Sequence, residues 1–120
     1  MSDDAATIVD IVLACRRIQR FIAAVDEARF VGNEEKRWAV VSQLMLIGEA
    51  ARRLSEQFRA AHPEIAWPLI VGMRNRLVHD YDKIDWPVVW QAATRDVPRL
   101  STEVEPLAEA TRSEADTPEP

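Results

Sequence analysis

The chain has 120 residues, 48% hydrophobic and 29% charged, with only three glycines; this fits a single helix-rich globular domain and excludes a disordered or fibrous protein. The net charge of -5 argues at first against a nucleic-acid partner, but from Glu103 onward six acids face only Arg112, so the rest of the chain is electrically balanced. One cysteine, Cys15, excludes an internal disulfide or multi-cysteine metal site, no apolar run approaches the roughly 18 residues of a membrane span, and the acidic start MSDD lacks the basic region of a secretion signal.

A cytoplasmic protein with no membrane association, no metal and no bound cofactor is therefore expected. Thirteen of the fifteen basic residues are arginine, the side chain suited to bidentate phosphate contact, although a GC-rich genome produces the same bias.

Four segments carry helical periodicity and none carries strand alternation. The first, about residues 5–28, spaces Ile8, Ile11, Cys15, Ile18, Ile22 and Val25 by threes and fours, and Gly32 and Asn33 supply a stop and a new cap. The second, about residues 33–60, has one stripe of Val40, Leu44, Ile47, Ala51, Leu54 and Phe58 and another of Trp38, Val41, Met45 and Gly48. Two stripes predict burial on two sides, with a second subunit as one candidate cover. Gly48 in mid-helix costs about 1 kcal/mol relative to alanine, which predicts a close helix contact there.

The segment HPEIAWP, residues 62–68, breaks the chain, and a third helix starting near Pro68 runs through Tyr81. The fourth begins at Asp85 with Trp86, Trp90, Ala93, Val97, Leu100, Val104 and Leu107 inward, and Pro98 predicts a kink within it. These elements predict an all-α, antiparallel up-down bundle of four main helices over residues 1–110. Residues 111–120, polar and acidic, are expected to form a disordered tail. The tryptophans and His62 are assigned to packing and to the surface, respectively.

The stretch RNRLVHDY, Arg74 to Tyr81, holds two arginines, one of two histidines and the only tyrosine. On a continuous helix, Ala66, Ile70 and Met73 share the inward face with Leu77. Arg74 and Tyr81 flank that face at about 60° and 40°, while Asn75 and His79 lie near 160° and 200°. Val71 and Val78 fall between, so the outward surface reads as an interface rather than a solvated face. Two copies meeting there would gather arginine and histidine in one positive cleft. A histidine that moves a proton and an arginine that stabilises a crowded phosphate suffice to cleave RNA without metal, by attack of the 2'-hydroxyl. The plainer alternative is a helix end, where cations such as Arg74 and Arg76 are favoured and His79 and Tyr81 finish the turn.

The pattern R-x4-H-x-Y formed by Arg74, His79 and Tyr81 resembles the HepT-like proteins of the HEPN superfamily. So does its context: IGEAARRLSEQF (47–58), HPEIAWPLIVGMRNRLVHDYDKID (62–85) and VVW (88–90). The resemblance implies a homodimeric, metal-independent endoribonuclease in which Arg74 and His79 are catalytic. It also implies the toxin half of a type VII-like toxin–antitoxin pair, silenced when an MntA-like nucleotidyltransferase antitoxin moves AMP onto Tyr81. Asn75, Arg76 and Glu49 are the candidate substrate-binding or supporting residues. Glu49 could orient Arg74 or His79, or be only an interhelical carboxylate; Asn75 could hold substrate, orient His79, or serve as a cap or dimer contact. The competing reading is a non-catalytic helical dimer that binds a nucleotide or docks a nucleotidyltransferase. The chain itself lacks the glycine-serine turn and paired aspartates of such a transferase.

Overall fold

A computed structural model describes residues 3–116, and the side chains of residues 3–110. Every element among them is helical: α1 (Asp3–Ile22), α2 (Glu27–Val31), α3 (Glu34–Arg53), α4 (Glu56–Ala61), α5 (Trp67–His79), α6 (Trp86–Gln91) and α7 (Val97–Asp116), with a π-helical segment, Ala92–Asp96, joining the last two. The α1–α3, α3–α5 and α1–α7 pairs carry most of the packing. No helix among the described residues is long and apolar enough to cross a membrane.

Caps explain where these helices begin. The Asn33 side chain accepts a hydrogen bond from the Lys36 amide, with Glu34 and Glu35 in the first turn of α3 and Arg52 and Arg53 in its last, each favourable to the helix dipole. Asp26, Ser55 and Asp85 cap α2, α4 and α6 in the same way.

The expected 33–60 helix is in fact two helices. Leu54 leaves the helical region at φ -64° and ψ 143°, and the Asp4 carboxylate accepts hydrogen bonds from the Ser55 amide (2.8 Å) and hydroxyl (2.6 Å). That contact ties the start of α1 to the end of α3. At the opposite end Lys36 Nζ donates to the Phe21 carbonyl at 2.6 Å, so the two helices run antiparallel.

The first helix likewise stops at Ile22, short of residue 28. Phe30, on the separate α2, is fully buried with its ring 5.2 Å from that of Trp90. Most of the predicted stripes are core: Ile8, Ile11, Cys15, Ile18, Val40, Leu44, Ile47, Ala51, Leu54, Ala93, Val97, Leu100 and Val104 are buried. Full burial of one such aliphatic side chain stabilises the fold by about 1.5–3 kcal/mol.

The kink expected at Pro98 takes the form of the π-helical segment before it. Pro98 has no amide proton, and its ring would press on the carbonyl four residues back. Widening the helix relieves this, and the Val97 amide bonds to the Ala92 carbonyl, five residues back instead of four.

The last helix runs to Asp116, past residue 110 where a disordered tail was expected to start; residues 117–120 of that expected tail lie outside the described residues. Glu105, on α7, accepts a two-pronged contact from Arg16 on α1, Nε to Oε1 at 3.0 Å and Nη2 to Oε2 at 3.1 Å. The pair holds the Glu105 carboxyl below its ordinary range.

Candidate active site

Helix α5 carries the motif and lies against α3. Pro68 occupies its first turn, where a missing amide proton costs nothing. Trp67 and Leu77 are its buried residues, with Ile70 and Met73 half-buried between them. Ala66, expected on the inward face, is exposed at the helix start.

The two helices touch most closely at Gly48. A Cβ there would overlap the Arg74 Cβ and stand 2.9 Å from its Cγ and 3.2 Å from the Ile70 carbonyl oxygen. The second apolar stripe of α3 is therefore largely satisfied within the chain. Gly48 is covered by α5, Val41 is buried, and Trp38 sets its ring edge-on to Trp86 at 5.4 Å. Trp38 nevertheless stays 39% exposed.

Arg74 thus threads its stem through the helix crossing and delivers its guanidinium to the residue after Gly48. Its Nη2 lies 3.2 Å from Glu49 Oε2, and its Nη1 donates to Asn75 Oδ1 at 3.0 Å. The same carboxylate oxygen is 3.7 Å from Arg52 Nη1; it is shut off from solvent and accepts no aligned hydrogen bond. Two guanidiniums therefore share one carboxylate, which leaves local positive charge.

Helix α5 ends at His79, earlier than expected. The Asp80 amide closes the last turn on the Arg76 carbonyl, and Asp80 itself leaves helical geometry. An aspartate opposes the negative end of the helix dipole, so the run Asp80–Tyr81–Asp82 favours stopping. The predicted alignment of Tyr81 above Arg74 is lost, because Tyr81 lies in the following turn, 67% exposed. His79 is exposed and not turned into the core. Five residues after Arg74, it points about 140° away around the helix. Arg74, Asn75 and Glu49 are brought together in one chain; His79 and Tyr81 stand apart from them. Arg76 faces a groove between α5 and α7 with Met73, Asp96 and Arg99.

Arg52 was not among the sequence candidates. Its only signal was the three-residue spacing from Glu49, which on a helix brings two side chains together but is common on any solvated surface.

A family model described as "Ribonuclease HepT-like" matches residues 11–107. A Methanocaldococcus jannaschii protein named as a candidate RNase is 36% identical over 103 residues, covering 86% of this chain and 94% of its own. A second candidate RNase of that organism is 30% identical over 88% of this chain and 90% of its own. A Thermococcus cleftensis protein named probable ribonuclease HepT is 33% identical over 82% of this chain and 89% of its own. No solved structure matches.

Proposed function

The chain belongs to the HepT-like ribonuclease family, and on that premise we propose that it is a metal-independent endoribonuclease, active in the cytoplasm as a homodimer. The observation that carries the reading is the Arg74 guanidinium, held at a helix crossing that only a glycine permits, with an exposed histidine five residues on. His79 takes the proton of a ribose 2'-hydroxyl as that oxygen attacks the adjacent phosphorus. The 5'-oxygen leaves with a proton, giving a 2',3'-cyclic phosphate and a free 5'-hydroxyl. Arg74 bears the charge of the crowded intermediate, Glu49 and Asn75 aim it, and Arg76 holds neighbouring phosphate.

One chain holds its arginine and its histidine about 140° apart, so a second copy supplies the missing half. The exposed apolar side chain of Val78 (36%), which lies between Arg74 and His79 around α5, supports such a contact. Within a toxin–antitoxin pair, a nucleotidyltransferase antitoxin would silence the site by transferring AMP to Tyr81, whose exposure leaves it reachable. The added phosphate would offset the charge of the cleft.

The test is incubation of the partner-free protein with mixed RNA in excess EDTA, beside a His79→Ala variant shown to be folded. Cleavage by the parent alone, leaving cyclic phosphate ends, supports the reading. Cleavage by both, or only when a divalent ion is restored, overturns it. Cleavage by neither, from unmodified protein, moves the chain to the non-catalytic module.

A further inference from the structure

On the Asn75 side of the motif lies a second feature that the chemistry above does not use. It is an open cleft of about 790 Å³ between the end of α3, α4 and the outer side of α5. Arg52, Arg59 and Glu56 bring its charge, Val71, Gly72, Pro68 and Ala60 give it a low apolar floor, and Asn75 closes it toward Arg74. We propose that this cleft is an RNA subsite that holds the nucleotide next to the one being cut, with its phosphate on Arg52 and Arg59. The proposal rests on the ribonuclease reading.

Three observations carry it. The cleft is continuous with the candidate active site: Asn75 lines it and also accepts from Arg74, and Arg52 shares the Glu49 oxygen with Arg74. Its lining has a surplus of positive charge, two guanidiniums against one carboxylate, in a chain that is acidic overall; a local field of this kind, and not net charge, governs an anionic ligand. Its floor is unobstructed at Gly72, where a Cβ would meet nothing within 4 Å. An apolar floor in the same cleft as two arginines suits a base resting beside a phosphate held by guanidinium groups. Trp67 also lines the cleft, but its ring is buried and its Nε1 donates to the His62 carbonyl at 3.1 Å, so it supports the floor and is not a stacking platform.

Arg59 gives the cleaner test, because among the described residues its side chain has no ion-pair partner, whereas Arg52 is tied to Glu49. Binding of a 2'-O-methyl RNA dodecamer, which cannot be cleaved through its 2'-oxygen, is measured over a salt series for the parent, Arg59→Ala, Arg59→Glu and the remote control Arg20→Ala. Arg59→Ala is expected to raise Kd several-fold and to reduce the salt slope by about one counterion. Arg59→Glu should weaken binding further, and Arg20→Ala should match the parent. Equal weakening in Arg20→Ala, or parental binding and salt slope in Arg59→Glu, overturns the subsite. Absence of any RNA binding by the parent also overturns it. Because binding is read without turnover, a subsite that fails beside a parent that still cleaves RNA leaves the ribonuclease reading intact. A parent that binds through Arg59 but never cleaves separates the two the other way.

Discussion

Gly48 and Arg74 occupy the same point of the α3–α5 crossing, where a Cβ on the glycine would overlap the Cβ of the arginine. Alanine gains about 1 kcal/mol of helix propensity at such a site, yet here the overlap involves rigid stem atoms and a backbone carbonyl, so the helices must separate. Gly48→Ala is expected to lose about 1–3 kcal/mol in urea unfolding, with a larger loss for Gly48→Val. RNA cleavage should fall further than stability does, because Arg74 moves with the helix. A Gly48→Ala protein as stable and as active as the parent would show that the crossing is not tight.

Glu49 holds the Arg74 guanidinium from the neighbouring turn of α3. Its side chain is half exposed, so the ion pair adds little to stability, and its effect should fall on geometry. Glu49→Ala is expected to lower kcat by roughly tenfold to a hundredfold, the scale set by small misplacements of a catalytic group. Thermal unfolding should stay near that of the parent, and Glu49→Gln should recover part of the rate. An unchanged kcat in Glu49→Ala would reduce Glu49 to an interhelical carboxylate.

Tyr81 is the only tyrosine in the chain and stands in solvent beyond the end of α5. With a cognate nucleotidyltransferase and ATP, intact-mass measurement should show added AMP on the parent and none on Tyr81→Phe. The modified protein should also lose RNA cleavage. Modification that persists in Tyr81→Phe would place the acceptor elsewhere.

The Arg16–Glu105 pair joins α1 to α7, and hydrogen bonding to Arg16 holds the Glu105 carboxyl below its ordinary value of 4.5. A carboxyl depressed in the folded state contributes stability above its unfolded pKa and loses it as pH falls through the folded value. Glu105→Gln should therefore be less stable than the parent at neutral pH, with the gap closing under acid. Chemical unfolding at pH 7 and at successively lower pH reads this, and a gap independent of pH would assign the effect to packing.

Cys15 is fully buried on α1, and burial, reinforced by the charge of Glu105, pushes its thiol up to about 12. Only the thiolate attacks a disulfide reagent. The native protein at pH 8 should leave Ellman's reagent uncoloured, and one equivalent should react in guanidinium. Rapid reaction of the native protein would place Cys15 in contact with solvent.

Much of this molecule was legible in its residues because periodicity is a local property. The spacings of three and four along 8–18, 40–54 and 93–104 mark faces that any helix must bury, and Asn33 and Asp85 cap where their chemistry allows. The motif was legible as well, since Arg74, His79 and Tyr81 fall within eight residues. Helix ends were not. The break at Leu54 depends on Asp4, 51 residues from Ser55, and the stop at His79 follows from competition among turn residues that periodicity does not weigh.

What the sequence determined by itself was the helical class, most of the stripes that form the core and the presence of an arginine and a histidine at a ribonuclease-like spacing. Only the tertiary structure decided which partners those residues meet. It showed that α5 covers Gly48 and that Trp86 packs edge-on against Trp38 in the second stripe of α3, that Glu49 is shared between Arg74 and Arg52, and that the acids after Glu103 include a strut to Arg16. The physical reason is range: periodicity and capping act within a few residues, whereas a notch such as Gly48 has meaning only once another helix lies across it.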